Sequence, residues 1–427
     1  MRMRKTGDRS RDILRRDSAV MPNLTRPYEL VVDRGEGSTI FDVDGNSYLD
    51  FAAGVAVMNI GYNCKKVKEA VSTQMDRMVH CGFSDFGAEL PVKLAEKLCS
   101  MTGYEKVFLS NSGAEAVEAA MKLAFWYTRK RSMIAFYQSF HGRTLGALSL
   151  TSSKVKHKKF FPSLPVVHSH YAYCYRCPLN LEYPGCGASC ALEIEEVIFK
   201  RELSSEDTAA IVVEPIQGEG GFIVPPQEFH KELKRICQEN DILFISDEIQ
   251  SGGYRTGKFL ALDNFSVRAD IVCMSKSIGG GIPLGATLSE KEIMSWPSGT
   301  HANTFGGNLL AAAGGLATLE FMETKKLGEK AAEKGRYLMK RLKELQENHP
   351  IIGDVRGIGL MIGVELVEEN RDPATEKCGM VIKNALERGM ILLSAGDSVV
   401  RFVPPLIITK EEIDRGVEIF EEALKGI

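Results

Sequence analysis

The sequence predicts an α/β fold with a mostly parallel central sheet, and three observations lead there. Short apolar runs recur through the middle of the chain, at residues 107–109, 133–137, 211–213, 242–245 and 271–274. Such continuous runs suit strands covered on both faces. Each run ends in polar, glycine or charged residues and leads into a helical stretch, the rhythm of a parallel sheet clad in helices. The chain has 427 residues, 44% of them hydrophobic, enough for a large core divided into two or three domains.

The elements follow in order. Residues 1–20 carry seven Arg/Lys against three Asp with little apolar periodicity, which predicts a solvated tail. Residues 28–51 alternate, with turn signals at Gly35-Glu36-Gly37 and Asp44-Gly45-Asn46, and read as short antiparallel strands. Residues 61–310 form the large domain, and residues 1–60 join the small one. From about residue 311 the helical pattern lengthens to 348, and a βαβ-like stretch follows. In the closing helix Ile413, Val417, Phe420 and Leu424 share one apolar face. Residues 311–427 therefore read as a smaller α/β domain.

Composition excludes several functions. The formal charge of −3 offers no basic surplus for coating nucleic acid. No apolar run approaches the ~18–20 residues that span a bilayer. An apolar secretory segment is missing from the N-terminus, which predicts a cytoplasmic protein whose Asn23-Leu24-Thr25 sequon stays bare.

In a parallel sheet, ligands bind beyond the carboxyl ends of the strands, where the polar groups after each apolar run converge. Ser112, Gly113 and Ala114 open a helix, whose free amides and positive dipole end suit a phosphate; a plain N-cap is the ordinary alternative. Lys276 follows a buried strand, where desolvation favours the neutral, nucleophilic amine. Asp247 also sits at a strand end, fit to hold a ring nitrogen protonated or to cap a turn. Phe140, with His141 beside it, offers an aromatic face to a planar ring. A phosphate cradle, an aromatic face, an acid and a lysine together make the set that pyridoxal 5'-phosphate requires.

The stretches FDVDGNSYLDFAAGVAV, NSGAEAVEAAMKLA, FHGRT, EPIQGEGGF, DEIQSG, RTGKF, SKSIGGGIPLGA, TFGGN and RFVPPL run in order from about residue 30 to 410. With them the chain resembles a class III (ω-amino acid type) pyridoxal-phosphate-dependent aminotransferase of fold type I. The resemblance implies a homodimer and assigns roles. Lys276 becomes the Schiff-base lysine and proton shuttle, and Asp247 the partner of the pyridine nitrogen. Gln250 reaches the ring hydroxyl, Phe140 and Ile249 flank the ring, and Glu214 is an acid close by. Ser112, Gly113 and Ala114 bind phosphate, joined by Thr304 from the second subunit.

On the substrate side, the resemblance implies that Arg401 binds the α-carboxylate of glutamate or 2-oxoglutarate. Glu219 pairs with Arg401 when the amine lacks that group, and Arg143 takes a distal carboxylate. Val55 stands where ornithine-specific relatives carry Tyr, which points to a 4-aminobutyrate-like donor with 2-oxoglutarate as acceptor. An amino-acid racemase or epimerase, or an ornithine or acetylornithine aminotransferase, is the alternative. Two stretches depart from the family pattern near the substrate entrance: GYNCKKV at residues 61–67, and Gly252-Gly253-Tyr254 before Arg255.

Ten cysteines are unusual here, and four crowd into one segment: Cys174, Cys177, Cys186 and Cys190. Four thiols at such spacing suit a structural zinc ion or an iron–sulfur cluster, two disulfides, or a packed loop of free thiols. His141, His157, His168 and His170 make no metal-binding spacing.

Overall fold

The computed structural model describes residues 4–427. At its centre lies a seven-stranded sheet. Its strands are β1 (Lys106–Ser110), β2 (Ser132–Phe136), β3 (Val166–Ser169), β4 (Thr208–Val213), β5 (Leu243–Asp247), β6 (Ile271–Met274) and β7 (Gly285–Ser289). They lie in the order β1-β7-β6-β5-β4-β2-β3. Pairing is parallel from β3 across to β6, while β7 runs antiparallel to both β6 and β1. Every residue of β4, β5 and β6 is buried, which explains why these strands read as unbroken apolar runs.

The N-terminal strands form as expected: Val32–Glu36, Thr39–Asp42 and Ser47–Asp50 pair antiparallel. Ser47–Asp50 also pairs, in parallel, with Met390–Ile391 near the other end of the chain. The two chain ends thus share one small domain, whose core includes Phe51, Leu338, Leu342, Phe402, Ile413, Val417 and Phe420.

Two expectations need correction, and a third gains detail. Residues Asp8–Val20 form a helix rather than a loose tail. The Asp44 carboxylate, in the turn between Thr39–Asp42 and Ser47–Asp50, accepts the amides of Gly7, Arg9 and Ser10 and so caps that helix from a distance. The long pattern at 311–348 is two helices, Leu309–Thr324 and Leu327–Asn348. Between them Lys326 adopts φ 51°, which ends one helix and redirects the next. The stretch read as βαβ contains an antiparallel sheet: Met361–Leu366 pairs with Ile352–Ile358 on one side and Val399–Phe402 on the other. Helix Thr375–Glu387 leads on to Leu393–Ala395, which also pairs antiparallel with Val399–Phe402 and so runs parallel to Met361–Leu366, a βαβ unit split by one intervening strand. Among the described residues no helix is long and apolar enough to cross a membrane.

Phe402 welds the small domain together. Its ring packs edge-on against Phe51 (5.7 Å between centroids) and Phe420 (5.0 Å), joining the N-terminal segment, a central strand and the last helix. Phe402→Ala should therefore lower unfolding stability by about 3–5 kcal/mol, the usual cost of emptying a buried aromatic site. Urea titration checks this, and a loss of the size seen for surface substitutions would contradict the packing role.

Candidate active site

The rim of the sheet collects the predicted residues. Register places Asp247, the last residue of β5, beside Cys273 of β6, three positions before Lys276. Lys276 opens a tight turn, Lys276–Gly279, with φ 42°, a left-handed conformation that a non-glycine residue adopts only under local constraint. Burial pushes its amine below the ordinary lysine range, while the charges of Glu219, Asp247 and Glu214 act in the opposite sense.

Asp247 is buried and doubly held. His141 Nδ1 lies 2.7 Å from Asp247 Oδ2, and the Ile249 amide donates to Oδ1 at 3.0 Å. Burial opposes charge on His141, but the Asp247 carboxylate outweighs it and raises the imidazole pKa. Nothing in the sequence reading foresaw this pair, whose members are 106 residues apart. The available signal was that both lie at the carboxyl ends of strands of one sheet, β2 and β5.

Glu214 follows β4 and is buried. It accepts the Phe140 amide at 2.9 Å and the Gly218 amide at 2.8 Å, so it ties the aromatic residue of one strand end to the loop of the next. Burial raises its pKa to about 7.

The phosphate cradle has the expected local structure. The helix α1 (Gly113–Thr128) starts at Ser112, whose Oγ accepts the Glu115 amide. That leaves the first-turn amides of Gly113 and Ala114 for an anion. Close approach explains the small residues: a Cβ on Gly113 would meet Ile249 Cδ1 at 2.9 Å. Similarly, Gly142 at φ 143° sits against Ala114. Gln250 lies against Gly218, where an added Cβ would fall 2.6 Å from its Oε1.

The substrate-side residues divide. Arg401 Nη1 and Glu219 Oε1 are 2.7 Å apart, and Arg401 Nε donates to the Ser394 carbonyl at 2.7 Å. Burial alone would raise the Glu219 pKa, but the Arg401 guanidinium wins and lowers it. Arg143 stays exposed; its Nη2 is 3.1 Å from His157 Nε2, and it meets no carboxylate among the described residues. Val55 is 41% exposed and lies in a run of left-handed residues, Ala53, Gly54, Val55 and Ala56. Thr304 is exposed on a loop before helix Leu309–Thr324.

Sequence reasoning also passed over the groups that join the domains. The buried Arg255 donates to the carbonyls of Leu360 (3.1 Å) and Pro404 (2.5 Å) and to Asn59 Oδ1. Arg356 reaches the Gly221 carbonyl at 2.6 Å and Glu365 at 2.7 Å.

The four clustered cysteines depart from the metal and disulfide expectations. They line one small apolar void, yet all are free thiols. Among the described residues no group of three or more His, Cys, Asp or Glu side chains is placed to hold a metal ion. The segment is laid out as a packed loop.

The residues fit pyridoxal phosphate: a buried carboxylate with a bracing histidine, whose Nε2 has no partner, an amide cradle and a desolvated lysine. The fold and this set define a pyridoxal-phosphate-dependent enzyme of fold type I. The chain belongs to the class III aminotransferase family, whose model matches residues 20–424. It is 37% identical to a leucine/methionine racemase of Thermococcus litoralis, covering 98% of this chain and 96% of the relative. It is 39% identical to an acetylornithine aminotransferase of Methanosarcina acetivorans, covering 96% of each. A probable 4-aminobutyrate aminotransferase of Bacillus subtilis is 34% identical, with 96% of this chain and 97% of that one covered. The crystal structure of a Bacillus anthracis aminotransferase superposes with a TM-score of 0.91 at 32% identity, over 99% of this chain and all of that chain.

The raised Glu214 pKa carries a stability prediction. The folded state holds a proton that the unfolded chain releases near pH 4.5, so this contribution is full below that pH and is lost as pH rises through about 7. Relative to Glu214→Gln, the wild-type protein should lose stability steadily between those values. Urea midpoints across a pH series check it; a difference independent of pH would refute the assignment.

Proposed function

We propose that the protein transfers the amino group of an ω-amino acid resembling 4-aminobutyrate to 2-oxoglutarate. The observation that carries this reading is the Glu219–Arg401 pair at 2.7 Å, whose guanidinium is buried. A free buried guanidinium is costly, and a permanently exposed one would demand a carboxylate of every substrate. The pair lets one pocket serve two molecules. Closed, it accepts an amine whose reacting carbon carries no carboxylate; open, Arg401 binds the α-carboxylate of 2-oxoglutarate. A racemase has no need of such a switch.

Pyridoxal phosphate supplies an electron sink for the pair of electrons left when a proton departs the amine-bearing carbon. Lys276 tethers the cofactor and, when free, moves that proton; its desolvated Nζ spends more time unprotonated than an exposed lysine would. Asp247, steadied by His141, keeps a proton at the ring nitrogen. Ser112, Gly113 and Ala114 hold the phosphate, and Thr304 of a second copy completes that cradle in a homodimer. Phe140 and Ile249 confine the ring, Gln250 meets its hydroxyl, and Glu214 fixes the Phe140 backbone. Val55 and Arg143 line the substrate entrance, Arg143 meeting a distal carboxylate.

Racemisation of α-amino acids on the same scaffold is the second reading. It is favoured by the likeness to the Thermococcus enzyme over nearly the whole chain. Incubation of the holoenzyme with 4-aminobutyrate and 2-oxoglutarate should yield glutamate. Failure with every ω- and α-amino donor would end the transaminase reading, and loss of optical rotation without glutamate would establish racemisation.

The switch has its own test. Glu219→Gln leaves Arg401 without its anion, so the half-reaction with 4-aminobutyrate should fall by about 10–100-fold, the scale of a lost charged hydrogen bond. The half-reaction with 2-oxoglutarate should hold. Equal losses in both halves, read by single-turnover absorbance, would sink the switch.

A further inference from the structure

Arg143 has no carboxylate partner among the described residues, yet its guanidinium is held. It lies 5.5 Å from the centre of the Phe140 ring, and its Nη2 is 3.1 Å from His157 Nε2. His157 packs edge-on against the same Phe140 ring, with 6.3 Å between centroids and 85° between planes. Phe140, Arg143 and His157 therefore form one cluster on the rim.

His157 belongs to the lysine-rich stretch at residues 154–159, which by its charge alone reads as a solvated face. Lys154, Val155 and Lys156 are exposed, whereas His157 is half-buried. The ring sits in the single turn Val155–Lys158, which Lys158 Nζ ties to the Ser149 carbonyl at 3.3 Å.

The contact with Arg143 fixes the state of this ring. A guanidinium only donates, so His157 Nε2 accepts and the imidazole is neutral, with its proton on Nδ1. There it donates to Ser153 Oγ at 3.1 Å. Burial and the cations Arg143, Lys154 and Lys156 lower the imidazole pKa, against the pull of Glu219, and so keep the ring in that form.

A neutral partner behaves unlike a charged one. Arg401 is paired with the Glu219 carboxylate, which an incoming carboxylate must displace. Arg143 is held only by the lone pair of a neutral ring, and a substrate carboxylate makes the stronger, charge-assisted bond. The guanidinium is thus set in place in advance and yields readily to an anion.

We propose that His157 is a positioning residue for substrate specificity: through Nε2 it holds Arg143 against Phe140 and so favours substrates that carry a second carboxylate far from the reacting carbon. The inference rests on the reading of Arg143 as the group that meets a distal carboxylate.

The test uses enzyme loaded with pyridoxal phosphate, which does not transaminate 2-oxo acids, so binding is read without turnover. 2-Oxoglutarate and 2-oxopentanoate share chain length and α-carboxylate, and only the first has a distal carboxylate. In calorimetric titrations the wild-type enzyme should prefer 2-oxoglutarate. His157→Phe should cut that preference by about tenfold, the scale of a lost hydrogen bond to a charged group, with affinity for 2-oxopentanoate and the cofactor absorbance unchanged. His157→Gln, whose carboxamide oxygen can accept in place of Nε2, should keep most of it. Arg143→Met should cut it at least as far as His157→Phe. An unchanged preference in His157→Phe, an equal loss for both acids, or a Gln variant as poor as the Phe variant overturns the proposal. No preference in the wild-type enzyme, or one that survives Arg143→Met, refutes the distal-carboxylate reading of Arg143 and this inference with it.

Discussion

Charge carried below the surface must be paired, and the architecture of this protein follows from that constraint. Asp247 is held by His141 and the Ile249 amide, Glu214 by two backbone amides, and Glu219 by Arg401. The pairings with His141, with the Phe140 amide and with Arg401 each join different strand ends or different domains. The groups that do chemistry are therefore the groups that lock the rim, and none of them moves without unpairing another. Lys276 stands in this field with acids on several sides, its pKa lowered chiefly by loss of water.

The two domains meet through guanidinium groups. Arg255, Arg356 and Arg401 each reach from one domain to carbonyl or carboxylate oxygens of the other. The first two act mainly on backbone oxygens and hold the domains in place. Arg401 differs, because its partner Glu219 is a side-chain carboxylate rather than backbone. Under the proposed function, a frame fixed by backbone contacts with one side-chain ion pair is what a dual-substrate pocket requires.

The cysteine segment takes on meaning from its surroundings rather than from its thiols. Arg176 and Tyr173 both bond Glu365 in the small domain, so the segment straps the two domains together. The free thiols fill the void beneath the strap as small apolar side chains do.

Much of this protein was legible in its residues alone. The buried strands appeared as unbroken apolar runs, the apolar spacing of Ile413, Val417, Phe420 and Leu424 marked a helix, and Lys276, Asp247 and Gly113 stood at strand ends where a parallel sheet gathers ligands. These follow from local periodicity, which the chain carries in itself. Only the tertiary structure decided the rest. The Asp8–Val20 helix depends on a cap from Asp44, and the C-terminal strands became antiparallel through partners across the small domain. His141 found Asp247, and Arg176 found Glu365, across more than a hundred residues of chain. Such pairings depend on which strand ends the sheet order brings together, and no window of neighbouring residues records that order.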